Sequence, residues 1–522
     1  MLGLALLGAA FLAYGPALSG PFVSDDHHYV RNNRYVHGLG QGNVRAVLEP
    51  TGDAAIGIVN YAPVQLLIHA AVWEVVGEDV RGHHAANVVL HALASLLLVA
   101  LLSRSGVPRE AAVVGGALFL LHPANVEAVA WISQLKSSSA LCLALAALLA
   151  FPRRPALGTA LFGLALLAKA TAAFALPVAA LRAWARREPV PWVWLGVSAA
   201  IFAAYSVVEF TLHQRSGAAE AVLHETPWVL VRTVCALSLR YLVMAATSWG
   251  VSAFHEPEPA WSALDPWWLA SLAALGLGAW RLARTLRRRQ EEAAWWTWAA
   301  VSFAPVSQVF PFLYPFADRY LYFILPGLIG AALLAGRELF PRVPGPRGAW
   351  AVRGLAAALL LGFAWHAHER ARLWDSPVRL LRDAARHYPD GVSAHLLRAR
   401  EAAQRGDGAA AAEALRAASR RGYNRFAEIL TDPALLPVRE HPEVRRVVRE
   451  MAAGWIESAR DNRDHTQREL RMLAKAHAAR GEFAEARAVL ERALAKGGRE
   501  DATIRQELAD LSGLGDGPRG IR

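Results

Sequence analysis

From residue 1 to about residue 365 the chain is a succession of long apolar runs separated by short arginine-bearing joints, and this alternation restricts the fold more than any other feature. A helix that crosses the hydrocarbon core of a bilayer needs about 20 apolar residues, with a range of about 17–25. It satisfies its own backbone hydrogen bonds, which an open strand or loop in lipid does not. Eleven runs qualify by composition: 1–18, 84–102, 111–122, 138–151, 156–168, 170–183, 191–210, 266–282, 293–310, 320–335 and 351–365. Several are short and must extend into the polar joints. The chain is 54% hydrophobic and 19% charged, too apolar for an ordinary soluble domain. From residue 366 onward it turns charged and rich in Ala and Arg, with helical spacing. The expectation is an all-α protein, with a polytopic transmembrane domain over 1–365 and a soluble helical domain over 366–522.

The net charge of +11 follows the joints, so it points to membrane topology and not to nucleic acid. With the N-terminus in the cytoplasm, Arg104 and Arg109, Arg153 and Arg154, Arg182, Arg186 and Arg187, the basic run 281–289, and Arg337, Arg342 and Arg347 all fall on one side. That is the asymmetry expected of cytoplasmic loops. The outer side then receives the loops 20–83, 122–136, 211–265 and 311–319, and everything after residue 365. Residues 1–18 read as an uncleaved helix, since no basic segment precedes them. Two apolar stretches would spoil this parity if they crossed: 61–76, and 227–250 with its Arg232 and Arg240. Each reads as a re-entrant or interfacial helix on the outer side, or as a buried helix of the domain. Cys142 and Cys235 sit in apolar surroundings and form no disulfide or metal spacing.

Polar clusters fall on the outer side. Asp25 and Asp26 lie just past the first apolar run. An ionised carboxylate there can take a proton from a hydroxyl, and the pair permits a divalent cation, Mg or Mn, through oxygen ligands. A solvated loop or helix cap is the simpler alternative. Residues 122–131 read HisProAlaAsnValGluAlaValAlaTrp, followed by Lys136. Glu127 and Trp131, four apart, share a helical face, as an anchor or as a sugar- or cation-binding group. Lys169 sits between apolar runs and needs an anionic partner or an aqueous cavity. Asp318 and Arg319 are adjacent at a helix mouth, either as a fork for phosphate or as a local ion pair. Tyr61 precedes Ala62 and Pro63. His84, Asn87 and His91 line one helical face, where hydrogen bonding inside a bundle outweighs metal ligation.

The tail carries two helix–Gly–helix segments, 393–422 and 468–497, separated by an insert over 424–462 without repeat character. Small residues at the close-packed positions are what stacked helix pairs need. Both segments resemble the tetratricopeptide repeat, the second more fully than the first.

The ordered set PheValSerAspAsp, TyrAlaProVal, His84 with Asn87 and His91, HisProAlaAsnValGluAlaValAlaTrp, AlaLysAla and AlaAspArgTyrLeuTyr, followed by a repeat tail, resembles the transmembrane and tetratricopeptide-repeat O-mannosyltransferases and their bacterial relatives, of the GT-C class. The resemblance implies a glycosyltransferase that passes a sugar from a polyprenyl-phosphate carrier to a protein or envelope-glycan acceptor, usually with inversion. It implies a bacterial inner (plasma) membrane location with catalysis and tail on the extracytoplasmic side. By the same resemblance Asp25, Asp26 and Glu127 are catalytic candidates. Lys136, Lys169, Asp318, Arg319, Tyr61 and His84 are candidates for binding substrate or phosphate. The tail would engage a protein acceptor or an assembly partner. The chain departs from the family pattern at Ala62, and at Gln134, Leu135 and Ser137, where the family usually carries an arginine and an acidic residue. Either Arg31, Arg34, Arg215 or Arg240 stands in for the missing cations, or the donor differs, or activity is weak or absent. The alternative from another class is a transporter or an inactive membrane scaffold with an interaction arm.

Overall fold

The structure, a computed structural model, describes residues 1–216, 226–309, 314–339, 345–459, 465–497 and 500–513. It is all-helical, with no strand among the described residues. The helix starts are written locally. Pro63, Pro155, Pro227 and Pro266 open their helices in the first turn, where no backbone N–H is needed. Asp79 and Asp265 cap by accepting from Arg81 N and Trp268 N.

Among the described residues one compact unit holds 1–212 and 226–383, and the other holds 213–216 and the chain from 384 onward. This corrects the boundary at residue 365. Residues 366–383 stay with the apolar unit because they pack into it: the Trp374 ring lies 6.0 Å from that of Trp131, and Arg370 pairs with Asp383. Asp383 also accepts from Ala253 N at 2.9 Å.

In the first unit, hydrogen bonds define two ends of a helical bundle. At one end Arg182 and Arg186 hold Glu291 at 2.8 and 2.7 Å. There Arg281 and Arg284 reach Glu338, and Arg281 also holds Glu292. At the other lie Asp26, Glu127 and Arg319. Helices run alternately between these ends: Leu2–Tyr14, Val80–Arg104, Arg109–Leu121, Leu135–Ala150, Pro155–Leu166, Ala175–Ala185, Trp192–Ser216, Pro266–Arg287, Glu292–Phe303, Asp318–Leu339 and Gly345–Ala371. These eleven correspond to the eleven apolar runs. Seven helices among the described residues are long and apolar enough to cross a membrane, or eight when the pair Arg109–Leu121 and Pro123–Ala130, bent by 49°, is taken as one. The rest are shorter, with breaks at His122 and Lys169, or, like Pro266–Arg287, carry several arginines near one end. The helices Glu292–Phe303 and Asp318–Leu339 approach closely at Gly327 and Gly330, where a methyl group on Gly330 would lie 2.0 Å from the Trp295 ring.

Pro227–Thr247 is one unbroken 21-residue helix, which rules out the re-entrant form. It is also among the seven of sufficient length. Several of its hydrogen-bond partners nevertheless lie at the Asp26 end. Arg232 donates to Ala260 O and Trp261 O, Tyr241 to Ala317 O, and Ala245 O accepts from His122. Ser248 meets His366. These groups all belong to one end of the bundle. Parts of the loops 211–265 and 311–319, and of the insert 424–462, lie outside the described residues.

The second unit stacks Val392–Gln404, Gly408–Arg420, Pro442–Ala459, Gln467–Arg480, Phe483–Ala495 and Asp501–Gly513 in order. The insert is less irregular than its sequence suggests. Val444, Val447, Val448 and Met451 of Pro442–Ala459 share a core with Leu415 before it and Ala476 after it, so this helix joins the two repeat segments. Thr466 and Glu469 form a reciprocal cap at the start of the second segment, and Gly481 turns it at φ 85°.

Candidate functional site

The acidic pair sits on a short strained turn. Ser24 holds φ at 49°, a left-handed value that costs a side-chain-bearing residue about 1–3 kcal/mol and clusters at working sites. Asp26 is fully buried. Its two oxygens accept from Val23 N at 3.0 Å and Ser133 N at 2.7 Å. Trp131 Nε1 donates to Val23 O, and Asn87 Nδ2 to Trp131 O at 2.9 Å. These bonds stitch the first outer segment to the second. Burial pushes the Asp26 carboxyl up to about 7, against the pull of its two backbone donors. Asp25 is half-exposed, and its carboxylate accepts no hydrogen bond among the described residues. Beyond the pair, a wide turn closes from Asn32 N to His27 O at 2.8 Å. It directs the buried Tyr29 toward Lys136.

Three cations stand near this turn. Lys136 Nζ donates to Tyr29 Oη at 3.2 Å and lies 4.3 Å from its ring centre. Lys169 Nζ donates to Ser137 Oγ at 2.8 Å, one residue past Lys136. Enclosure by protein, with Lys136 and Arg319 nearby, holds the Lys169 ammonium well below the usual lysine range, and Glu127 opposes this. Arg319 is paired. Glu127, buried, takes its backbone N–H at 2.7 Å and its guanidinium through the other oxygen. The same guanidinium is ringed by Trp131, Tyr314 and Tyr320. Lys136 and Lys169 are therefore the two cations whose nearest bonded partners are neutral oxygens.

Several expected residues stand elsewhere or are occupied. Glu127 is the counter-ion of Arg319 and has no free oxygen. Asp318 and Arg319 form neither a fork nor a local pair. Asp318 accepts from His255 Nε2 at 2.7 Å and Ser252 N at 3.1 Å, so the neighbours face different partners. His84 is buried against Gly20 O. His91 bonds Tyr322 and Leu120 O. Asn87 completes that face, which is a hydrogen-bonded seam in the bundle. Tyr61 gives its phenol to Leu48 O at 2.8 Å and its backbone N–H to Glu209 at 2.7 Å. Of the substitute cations, Arg31 is exposed, Arg34 bonds Tyr35 and Arg240 covers Trp267. The Arg215 side chain lies outside the described residues. Among the described residues no three His, Cys, Asp or Glu side chains gather as metal ligands. Both Asp26 oxygens are taken by backbone donors, so of the acidic pair Asp25 alone would offer a cation an oxygen that carries no hydrogen bond among the described residues.

Sequence reading missed the polar groups that fill the space behind the turn. Gln65 and His69 are fully buried. Gln65 Nε2 reaches Ser133 O at 3.4 Å, while Gln65 Oε1 and both ring nitrogens of His69 have no partner among the described residues. The available signal was a Gln and a His four apart inside the apolar stretch 61–76.

Residues 468–511 match the tetratricopeptide repeat family model, which agrees with the second repeat segment of the tail. No curated protein and no solved structure matches the chain.

Proposed function

We propose that this chain is a membrane glycosyltransferase that moves a sugar from a polyprenyl-phosphate carrier to a protein or envelope-glycan acceptor on the extracytoplasmic face. The observation that supports the reading is that an open carboxylate, Asp25, and two cations that lack a carboxylate partner, Lys136 and Lys169, lie at the same end of the bundle. The paired Arg319 stands beside them. The acceptor hydroxyl oxygen attacks the anomeric carbon and passes its proton to the Asp25 carboxylate. The bond from that carbon to the carrier phosphate oxygen breaks. Its electron pair leaves on the phosphate, beside Lys136 and Lys169, where fixed charges act most strongly on charge developing out of water. Asp26 and Glu127 are positioning residues in this scheme: the first ties the turn to Ser133, and the second holds Arg319. The repeat tail supports a protein contact, as acceptor or assembly partner.

The test is glycan mass spectrometry of envelope proteins and lipids from cells carrying the wild type, Asp25→Asn or Lys169→Met. Each variant is expected to cut transfer on the order of 100-fold, as loss of one fixed group at a developing charge does. Unchanged glycosylation in folded Asp25→Asn protein would remove the enzymatic reading and leave the inactive scaffold.

A further inference from the structure

A cavity of about 350 Å³ opens at the opposite, arginine-rich end of the bundle. Its walls are the end of Leu135–Ala150, the helix Ala175–Ala185 and the proline-bearing links that follow each, through Phe151, Pro152 and Pro155 and through Glu188, Pro189 and Pro191. The volume lies at the lower end of what small-ligand sites occupy. Arg182 and Arg186 line it. Both bond Glu291, and Arg186 also reaches Arg104 O. The same links carry Arg153, Arg154 and Arg187, all exposed and without an ion pair among the described residues. Two guanidiniums, Arg182 and Arg186, thus line the cavity with Glu188, which lies 3.7 Å from Arg186, and three more arginines stand on the adjoining links next to lining residues.

Depth supplies an independent argument. Trp192, 72% exposed, begins the helix that leaves this cavity. Trp350, 71% exposed, and Trp280, 54% exposed, lie toward the same end of the bundle. Trp228, Trp249, Trp261 and Trp365 are exposed toward the other end. Exposed tryptophan at both ends of an apolar bundle is the pattern of side chains held at headgroup level. The cavity lies at that level, its wall mostly apolar with Arg182, Arg186 and Glu188 as its charged side chains.

We propose that this cavity seats the phosphodiester headgroup of an anionic phospholipid, with Arg182 and Arg186 as its floor and Arg153, Arg154 and Arg187 as its rim. Basic pockets between helices on this side bind such headgroups. The site is separate from the one around Asp25 and does not depend on the chemistry proposed there.

The test uses the full-length protein in nanodiscs of phosphatidylcholine doped with phosphatidylglycerol, with bound lipid counted by native mass spectrometry. Phosphatidylglycerol is expected to be retained over phosphatidylcholine. The triple variant Arg153→Gln/Arg154→Gln/Arg187→Gln, which breaks no internal bond, is expected to lower that retention on the order of 100-fold. Ala183→Trp, which fills the cavity and keeps every charge, is expected to lower it equally. Retention that survives Ala183→Trp would mean a diffuse surface field and would overturn the site. So would displacement of the lipid by inorganic phosphate alone, or a triple variant that retains the lipid fully.

Discussion

Replacing Asp26 separates its structural work from that of its neighbour. Each of its oxygens accepts one buried backbone N–H, from Val23 and from Ser133. Asparagine keeps one acceptor and presents an amide NH2 to the other donor. One buried N–H then loses its partner, a cost of about 2 kcal/mol. Asp26→Ala orphans both donors and is expected to cost about 4 kcal/mol by the same reasoning. Asp25→Asn touches no internal hydrogen bond and is expected to leave stability unchanged. The assay is thermal and denaturant unfolding of the purified protein in detergent at pH 6, following tryptophan emission. The order expected is Asp25→Asn, then Asp26→Asn, then Asp26→Ala. An Asp26→Asn protein as stable as Asp25→Asn would refute the claim that Asp26 stitches the two outer segments together.

The pH dependence follows from the same residue. Its carboxyl is raised from 3.8 to about 7, so between these values the folded chain holds a proton that the unfolded chain gives up. Stability from this group is full below about pH 4 and falls as pH rises through 7, by roughly 4 kcal/mol, and Asp26→Ala should flatten that slope in melts across pH. Glu127→Ala leaves the Arg319 charge enclosed without its partner and is expected to cost about 3–5 kcal/mol; Arg319→Ala should cost a similar amount, and the double variant less than the sum, in a cycle of unfolding measurements. Gly330→Ala drives a methyl into the Trp295 ring and is expected to destabilise by about 1–3 kcal/mol, seen as a lower melting temperature with altered tryptophan emission.

Much of the architecture was legible along the chain. Apolar runs, the arginines at their joints, first-turn prolines and the helix–Gly–helix spacing of the tail are local signals. Hydrophobic burial and backbone geometry act on neighbouring residues, so such signals survive in one dimension. The tail segment that carries the fullest repeat spacing is also the one the family model matches, over residues 468–511. The boundary at residue 365 failed because a charged composition marked the end of the apolar run but not the end of packing. Trp374 and Arg370 remain in the first unit through contacts with Trp131 and Asp383. Helix Pro227–Thr247 was ambiguous for a related reason. Its composition suits a span, while Arg232, Tyr241 and Ser248 find their partners at one end of the bundle.

The sequence by itself determined that the chain is helical, which stretches are apolar and where its conspicuous charges lie. Only the tertiary structure decided how those charges are used. It assigns Glu127 to Arg319 across 192 positions and Asp318 to His255 across 63. It buries Asp26 while leaving Asp25 open. The physical reason is that a buried charge is governed by the donor or counter-ion it meets in space, and these partners lie on other helices, far away along the chain.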